Sequence, residues 1–193
     1  IGVTTTRPFT HPIAMGKLAG RRIRRQWRTP MHTFHTDHHA DVTEAGTWLR
    51  PMSYAAASPA SAVHREYRQV REAVGVIDVS TLGKIELFGR DVIALLEYAY
   101  TCSFDKLAPH MSRYIFMVDS SGSLVDDGVA ARFSDEHFYI TATSSHAQTV
   151  VRQLQLFADQ LALEVTIIDR TFQVGAINLA GPRSREVLER LTD

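Results

Sequence analysis

Cysteine is almost absent from this chain of 193 residues, which contains only Cys102. A single cysteine excludes an intrachain disulfide framework and any zinc or iron–sulfur site built from several cysteines. No apolar run approaches the roughly 20 residues that are needed to cross a bilayer. The start of the chain also lacks the basic, apolar and small-residue succession that is typical of a signal peptide. We therefore expect a soluble protein of the reducing cytoplasm, without membrane contacts.

The chain also lacks net charge, because 21 basic residues balance 21 acidic ones. The distribution is uneven, since residues 1–50 hold eight Lys or Arg against three Asp or Glu. Five arginines are clustered there: Arg21, Arg22, Arg24, Arg25 and Arg28. Such a patch is typical of nucleic-acid binding, or of an arm that docks on another domain or subunit or on a small anion. Trp27 is the only aromatic residue among the arginines and provides no stacking platform, which favours the docking arm over nucleic acid.

Residues 1–50 are predicted to form this extended basic arm, because prolines and glycines interrupt them without sustained periodicity. They include five of the nine histidines: His11, His32, His35, His38 and His39. Imidazoles at such spacing could bind a metal. The irregular pattern after Pro30 provides no helix to align them on one face, so we interpret them as surface or interface histidines and predict no metal site.

Regular structure is predicted from Ser58-Pro59 onward, where serine and then proline favour a helix start over Ala60–Val74. Further helices are predicted over Val92–Tyr98, with Asp91 as N-cap, over Ser145–Ala162, capped by Ser144 or Ser145, and over Pro182–Leu191. Strands are predicted over 76–79, 84–88, 114–118, 124–130, 137–142, 164–168 and 171–179. This order indicates an α+β fold, with helices packed on a mainly antiparallel sheet and ferredoxin-like (split βαβ) elements, preceded by the extended arm.

Asp126-Asp127 is the most informative pair of residues for chemistry. Adjacent side chains on a strand point to opposite faces, so one carboxylate faces the core or a cleft and the other faces away. A carboxylate among apolar neighbours such as Val125 and Val129 is a candidate general acid or base. The same pair is also typical of solvated acids near a turn. Tyr139 is expected on a neighbouring strand, where it could share a face with Asp127 and wall a planar ligand.

Several strings together resemble the family of the glycine-cleavage aminomethyltransferase, or T-protein, and its flavoenzyme relatives. The resemblance covers roughly residues 45–193, and it implies that residues 51–193 are the first part of a folate-binding domain that is incomplete at the C-terminus. The strings are Trp48-Leu49-Arg50-Pro51, Glu66–Glu72, Val74–Lys84, Gly89-Arg90-Asp91, Asp126-Asp127 and Leu179-Ala180-Gly181-Pro182.

Within this family, the arm resembles the alpha subunits of heterotetrameric sarcosine oxidase. The strings that carry this are Arg7-Pro8, Met15–Gly20 and Arg28–His32. The resemblance implies that sarcosine is oxidatively demethylated at a flavin. The one-carbon imine or iminium is then transferred to tetrahydrofolate, giving glycine and 5,10-methylenetetrahydrofolate. A stand-alone glycine-cleavage-type aminomethyltransferase and a non-catalytic folate-binding module are the alternatives.

The resemblance also implies functional residues. Asp127 matches the family's catalytic aspartate best and Asp126 is the second choice, while Tyr139, Thr141 and Tyr114 are expected at the cofactor. Two stretches depart from the family pattern, Ser121-Gly122-Ser123 and Ala108–Met111. The family's later glycine-rich motif lies beyond Asp193, so we expect the fragment alone to be inactive.

Cofactors and partners follow from the same resemblance. Tetrahydrofolate is expected in this region, and FAD, FMN and NAD in the full assembly, with the FMN phosphate at an interface with the arm. The expected partners are the beta, gamma and delta subunits and the remainder of the alpha chain.

Overall fold

A computed structural model describes residues 26–54 and 58–192. Within these ranges the chain forms ten strands and five helices. The helices are α1 (His32–Asp37), α2 (Pro59–Glu72), α3 (Val92–Ala99), α4 (Ala147–Gln160) and α5 (Ser184–Leu188). The strands are β1 (Trp27–Arg28), β2 (Ala40–Ala45), β3 (Trp48–Tyr54), β4 (Gly75–Asp78), β5 (Gly83–Phe88), β6 (Ser112–Val118), β7 (Leu124–Ser134), β8 (His137–Ala142), β9 (Thr166–Asp169) and β10 (Ile177–Ala180).

The largest unit is a five-stranded sheet in the order β6-β7-β8-β5-β9, in which every neighbouring pair is antiparallel. Strands β8 and β9 therefore run parallel to each other with β5 between them. Together with α4, which connects them, they form a split βαβ unit. The predicted α+β class with a mainly antiparallel sheet is confirmed.

The hydrophobic core lies between this sheet and helices α3 and α4. Alternate residues of each strand point into it, as the pleat of a half-buried strand requires. On β8 these are Phe138, Ile140 and Ala142, and α4 contributes Val150 and Leu154. Among the described residues, no helix has both the length and the apolar character needed to span a membrane.

Residues 26–54 form a second, small sheet. In it β1 pairs in parallel with β3, and β2 pairs with β3 in the antiparallel sense. The predicted arm over residues 1–50 is thus built from strands and helix α1 from residue 27 onward, and its predicted boundary falls inside β3. Arg21, Arg22, Arg24 and Arg25 lie outside the described residues, so the docking role of the arm stays a prediction.

The predicted start of α2 is confirmed, because the Ser58 hydroxyl accepts a hydrogen bond from the Ser61 amide and Ser61 reciprocates in a capping box. Asp91 is the N-cap residue of α3, as predicted, although its carboxylate accepts from the Glu164 amide at 2.8 Å and makes no capping bond to the helix. The cap predicted for α4 is wrong. Helix α4 begins after His146, and the Ser144 hydroxyl instead donates to Thr81 at 2.8 Å.

The strand predicted over Thr171–Leu179 is also wrong in its first half. Asp169 accepts a hydrogen bond from the Thr171 amide at 2.8 Å, and the Thr171 hydroxyl accepts one from the Lys84 amide at 3.2 Å. These bonds hold the chain in a turn. Only β10 remains extended, and it pairs with β4 in a separate two-stranded sheet. The last predicted helix shortens to α5.

Candidate functional site

One face of the five-stranded sheet is turned away from α3 and α4, and we call it the open face. Its side chains alternate with those of the core, so it carries the odd-numbered residues of β7 and β8 and the even-numbered residues of β6. Three aromatic side chains on it are strongly exposed: Tyr114 at 56%, Phe116 at 43% and Phe133 at 48%. Exposed aromatic rings on one face of a sheet are typical of a binding surface.

Asp127 lies on the open face, where its strand position is directly opposite Phe116 of β6. The Tyr114 hydroxyl donates a hydrogen bond to Oδ2 of Asp127. This bond raises the pKa of the Tyr114 phenol, so the phenol stays protonated and remains the donor. The structure therefore brings together two of the residues that the resemblance implied, an oriented carboxylate and an aromatic ring.

Glu86 is the other acid in the middle of the open face, and its hydrogen bonding differs from that of Asp127. Glu86 accepts a hydrogen bond from Arg170 at 2.8 Å and lies 3.0 Å from His137 Nε2. The Arg170 bond, helped by His137, lowers the pKa of Glu86 despite the opposing effect of burial. Both carboxylate oxygens of Glu86 are thus engaged. Oδ1 of Asp127 has no hydrogen-bond partner within the described part of the chain.

Asp126 points the other way and is buried. Its Oδ1 accepts a 2.5 Å hydrogen bond from the Thr143 hydroxyl, and its Oδ2 accepts a 3.1 Å bond from the Thr143 amide. His146 Nδ1 lies 3.6 Å from Oδ1. The predicted separation of the two acids on opposite faces is therefore confirmed. Asp126 ties β7 to the segment that leads into α4.

Tyr139 shares the open face but does not adjoin Asp127. Its partner on β7 is Ala131, four residues beyond Asp127 or about 13 Å along the strand. Burial raises the pKa of its phenol. The Thr141 hydroxyl accepts a 2.9 Å hydrogen bond from the Val129 amide, which orients its side chain toward β7. The five residues that the resemblance implied thus lie on adjacent strands, four of them on one face.

The histidines of α1 do not form a metal centre. In the described ranges, no group of three or more His, Cys, Asp or Glu side chains could hold a metal ion. The interpretation of His35 as a surface or interface histidine is wrong, because this side chain is buried. It is hydrogen-bonded to Tyr54 at 2.6 Å and to Asp78 at 2.8 Å. The sequence around Pro30 gave no indication of a helix, so the contacts of His35 with Tyr54 and Asp78 were not predicted.

A second feature that the sequence did not indicate is a cavity of about 480 Å³, which we call the tryptophan cavity. It lies between the small sheet, the start of α4 and the turn after β9. Its aromatic wall consists of Trp27, Trp48 and Phe172. The two tryptophans are 21 residues apart, and Phe172 comes from a segment predicted to be a strand. Only the tertiary fold could have revealed their proximity.

Comparison with known proteins agrees with this architecture. An aminomethyltransferase T of the glycine cleavage system from Bartonella henselae has a crystal structure that superposes with a TM-score of 0.77. It is 22% identical in sequence, and the match covers 85% of this chain and 43% of that one. This likeness establishes the fold: the α+β arrangement described above is shared with 43% of that chain.

The family follows from the sequence match. The GCVT N-terminal domain family matches residues 31–193, and the chain belongs to that family. The sarcosine oxidase subunit alpha of Corynebacterium sp. (strain U-96) is 38% identical over 200 residues, which cover 99% of this chain and 21% of that subunit. An aminomethyltransferase of Desulfitobacterium hafniense (strain DSM 10664 / DCB-2) is 30% identical over 86% of this chain and 43% of its own length. The chain thus spans about a fifth of the first relative and under half of the second.

Proposed function

We propose that this chain supplies the first part of a tetrahydrofolate site in a sarcosine oxidase alpha subunit, with Asp127 as its catalytic carboxylate. The choice between the two kinds of relative rests on coverage. The similarity to sarcosine oxidase subunit alpha extends over 99% of the chain, whereas that to the aminomethyltransferase covers 86%. The longer match includes part of the basic arm, and the sequence of this arm resembles that of the alpha subunit.

The whole reaction is part of the proposal. Sarcosine is oxidatively demethylated at a flavin, and the one-carbon unit is transferred to tetrahydrofolate, giving glycine and 5,10-methylenetetrahydrofolate. FAD, FMN and NAD are assigned to the full assembly, together with beta, gamma and delta subunits and the remainder of an alpha chain. Arg28, exposed on β1, and the arginines before it are proposed to help hold the FMN phosphate.

The open face fits a folate in the chemistry of its side chains. Tyr114 and Phe116 present ring faces and edges to a flat heterocycle, with their centroids 5.0 Å apart. Bound tetrahydrofolate would supply the nucleophilic nitrogen that accepts the one-carbon unit. Asp127 provides a fixed acceptor beside those rings, since Tyr114 engages one carboxylate oxygen and leaves the other open.

Oδ1 of Asp127, which no described residue engages, is the observation that carries the catalytic role. A carboxylate oriented by one hydrogen bond can hold a proton or stabilise a developing cation with its second oxygen. General acid–base assistance of this kind typically contributes about 10²–10⁴-fold to a rate. Asp126 is the weaker candidate, because Thr143 engages both of its oxygens.

The test is Asp127→Asn, measured by tetrahydrofolate binding and by the yield of 5,10-methylenetetrahydrofolate in the native assembly. We expect the yield to fall about 10²-fold or more while folate still binds. Asp159→Asn is the matched control, since Asp159 is exposed on α4 away from the open face. A variant that binds folate and retains full yield would contradict the role of Asp127 and favour a non-catalytic folate-binding module.

A stand-alone aminomethyltransferase is the second candidate, because aminomethyltransferases also match most of the chain. The two candidates differ in chromophores and mass. The purified native complex should absorb as a flavoprotein and contain several subunits if the first proposal is right. A colourless, folate-binding monomer would overturn it in favour of the aminomethyltransferase.

A further inference from the structure

A buried polar cluster lies directly behind the proposed reaction site, and its centre is Asp126, whose side chain is 3% exposed. The Thr143 hydroxyl donates to Oδ1 of Asp126 at 2.5 Å, and the Thr143 amide donates to Oδ2 at 3.1 Å. A buried carboxylate needs such partners, because burial without them is costly. Thr143 thus holds both oxygens of Asp126 and fixes the direction of this side chain.

His146, the N-cap residue of α4, is the third member of what we call the Asp126 cluster. Its Nδ1 lies 3.2 Å from Thr143 Oγ1 and 3.6 Å from Asp126 Oδ1. The single hydroxyl proton of Thr143 is donated to Asp126, so the Thr143 oxygen is left as an acceptor. Both of these oxygens therefore favour a proton on His146 Nδ1. The cluster joins β7 to the start of α4.

The Asp126 cluster lies where the register of β7 is least secured by the sheet itself. In the ladder with β6, Met117 pairs with Asp126 and Val118 with Leu124, so the pairing is irregular at this point. Bulges disrupt local pairing, and a slip of one residue moves every side chain of a strand to the opposite face. Asp126 is the first residue of β7 that is paired after the irregularity. Holding its side chain inward therefore holds the next side chain, that of Asp127, outward.

The Tyr114 phenol reports on the position of the Asp127 carboxylate. The Tyr114 hydroxyl donates to Asp127, and this bond is the main cause of the raised pKa of the phenol. The negative charge of Asp126 adds to the effect. If the Asp127 carboxylate moved away, the pKa of Tyr114 would fall toward its ordinary value of 10.0.

We propose that Thr143 is a positioning residue for Asp127: through Asp126, it holds the outward carboxylate in the orientation that one-carbon transfer requires. The inference rests on the proposed function, which assigns the chemistry to Asp127. Placement matters at this scale, because a shift of about 1 Å in a reacting group can cost about 10²-fold in rate. Thr143 itself needs no contact with folate for this role.

The first experiment follows the Tyr114 phenol of the 193-residue chain by an NMR titration with ring-labelled tyrosine, with the signal assigned from Tyr114→Phe. Thr143→Val keeps the shape of the side chain but removes the hydroxyl, so we expect the pKa of Tyr114 to fall. Thr143→Ser restores the hydroxyl and should restore the pKa. Thr143→Ala, which also lacks the hydroxyl, replaces the valine variant if that variant does not fold. An unchanged Tyr114 titration in the variant without the hydroxyl would overturn the proposal.

The second experiment measures folate binding and the turnover to 5,10-methylenetetrahydrofolate in the native assembly. Thr143→Val should lower kcat roughly 10- to 100-fold, while the folate Kd changes by less than about twofold, because only the placement of the reacting group is affected. Thr143→Ser should recover most of the turnover. The matched control is Thr149→Val, since Thr149 is a half-buried threonine of α4 with no described bond to Asp126, and it should keep full turnover.

The outcomes separate this inference from the proposed function. Full turnover in Asp127→Asn rejects the proposed function, and the Tyr114 titration then still decides whether Thr143 orients Asp127. Reduced turnover in Asp127→Asn together with full turnover in Thr143→Val rejects the positioning role alone. Equal losses in Thr143→Val and Thr143→Ser also reject it, because the hydroxyl would then have no specific effect.

Discussion

His35 and Asp78 form a buried hydrogen-bonded pair across 43 residues of sequence, with His35 Nε2 2.8 Å from Asp78 Oδ2. The two side chains are 3% and 1% exposed. The other ring nitrogen of His35 lies 2.6 Å from the Tyr54 hydroxyl. A single imidazole therefore joins α1, β3 and β4, and it attaches the small sheet to the rest of the chain.

Replacing His35 by Ala should lower the free energy of unfolding by about 3–5 kcal/mol, because Asp78 would remain as a buried carboxylate without its partner. Urea unfolding followed by circular dichroism measures the change. His38→Ala is the control, since His38 is exposed at the C-cap of the same helix, and it should change stability by less than about 0.5 kcal/mol. Equal effects of the two variants would show that the buried pair contributes nothing specific.

Stability should also fall in acid because of Asp78. Burial alone would raise the pKa of this carboxyl, but hydrogen bonds from Ser80 and His35 outweigh it and bring the pKa below the ordinary value of 3.8. The stabilisation is therefore complete well above pH 3.8 and is lost as the pH falls through the depressed pKa. Unfolding curves at pH 6 and at about pH 3 measure the loss. The loss should be smaller in Asp78→Asn, and an identical acid dependence would reject this cause.

Gly128→Ala should be strongly destabilising. A Cβ at position 128 would lie 1.9 Å from the Thr141 carbonyl oxygen, so β7 and β8 would have to separate beside Asp127. We expect a loss of about 2 kcal/mol or more, measured by thermal unfolding. Gly175→Ala is the control, because a Cβ there meets its nearest atom at 3.6 Å and its backbone is unstrained. That substitution should be neutral or stabilise by up to about 1 kcal/mol.

Arg132→Lys should cost about 2–3 kcal/mol, although the charge is kept. The buried Arg132 guanidinium donates to the Leu107 carbonyl at 2.6 Å and to Asp135 at 2.7 Å, and an ammonium cannot reproduce this fork. The control is Arg185→Lys on α5, since Arg185 is 88% exposed in its pair with Glu189. It should change stability by less than about 0.5 kcal/mol, so equal losses would contradict the argument.

The sequence predicted those elements that depend on local pattern. Strand β8 alternates through Phe138, Ile140 and Ala142, and the same alternation on β7 and β8 correctly predicted that Tyr139 and Asp127 share a face. Ser58-Pro59 correctly marked the start of α2 because a capping serine acts within four residues. The roles of Asp127, Tyr114, Tyr139 and Thr141 came from family resemblance, and they stay predictions.

The sequence could not predict features that depend on distant partners. The Asp91 carboxylate accepts a hydrogen bond from the Glu164 amide, 73 residues away, and makes no bond to the amides of its own helix. Thr171 turns the chain because Lys84 donates to it across 87 residues. Lys84 itself is buried, with its ammonium bonded to the Ser80 and Leu82 carbonyls. None of these pairings produces a periodic pattern in the sequence. A prediction from local propensity therefore gave each residue the role that is most common for its type and position.

The ladder between β6 and β7 contains an irregularity near its turn: Met117 pairs with Asp126 and Val118 with Leu124, which leaves Val125 unpaired. Beyond this irregularity, successive side chains of β7 alternate between the two faces, so Asp126 points toward the core and Asp127 points outward. Lengthening the 119–123 tip would leave this alternation unchanged. The hairpin can thus vary in length at its tip while the orientation of Asp127 stays fixed.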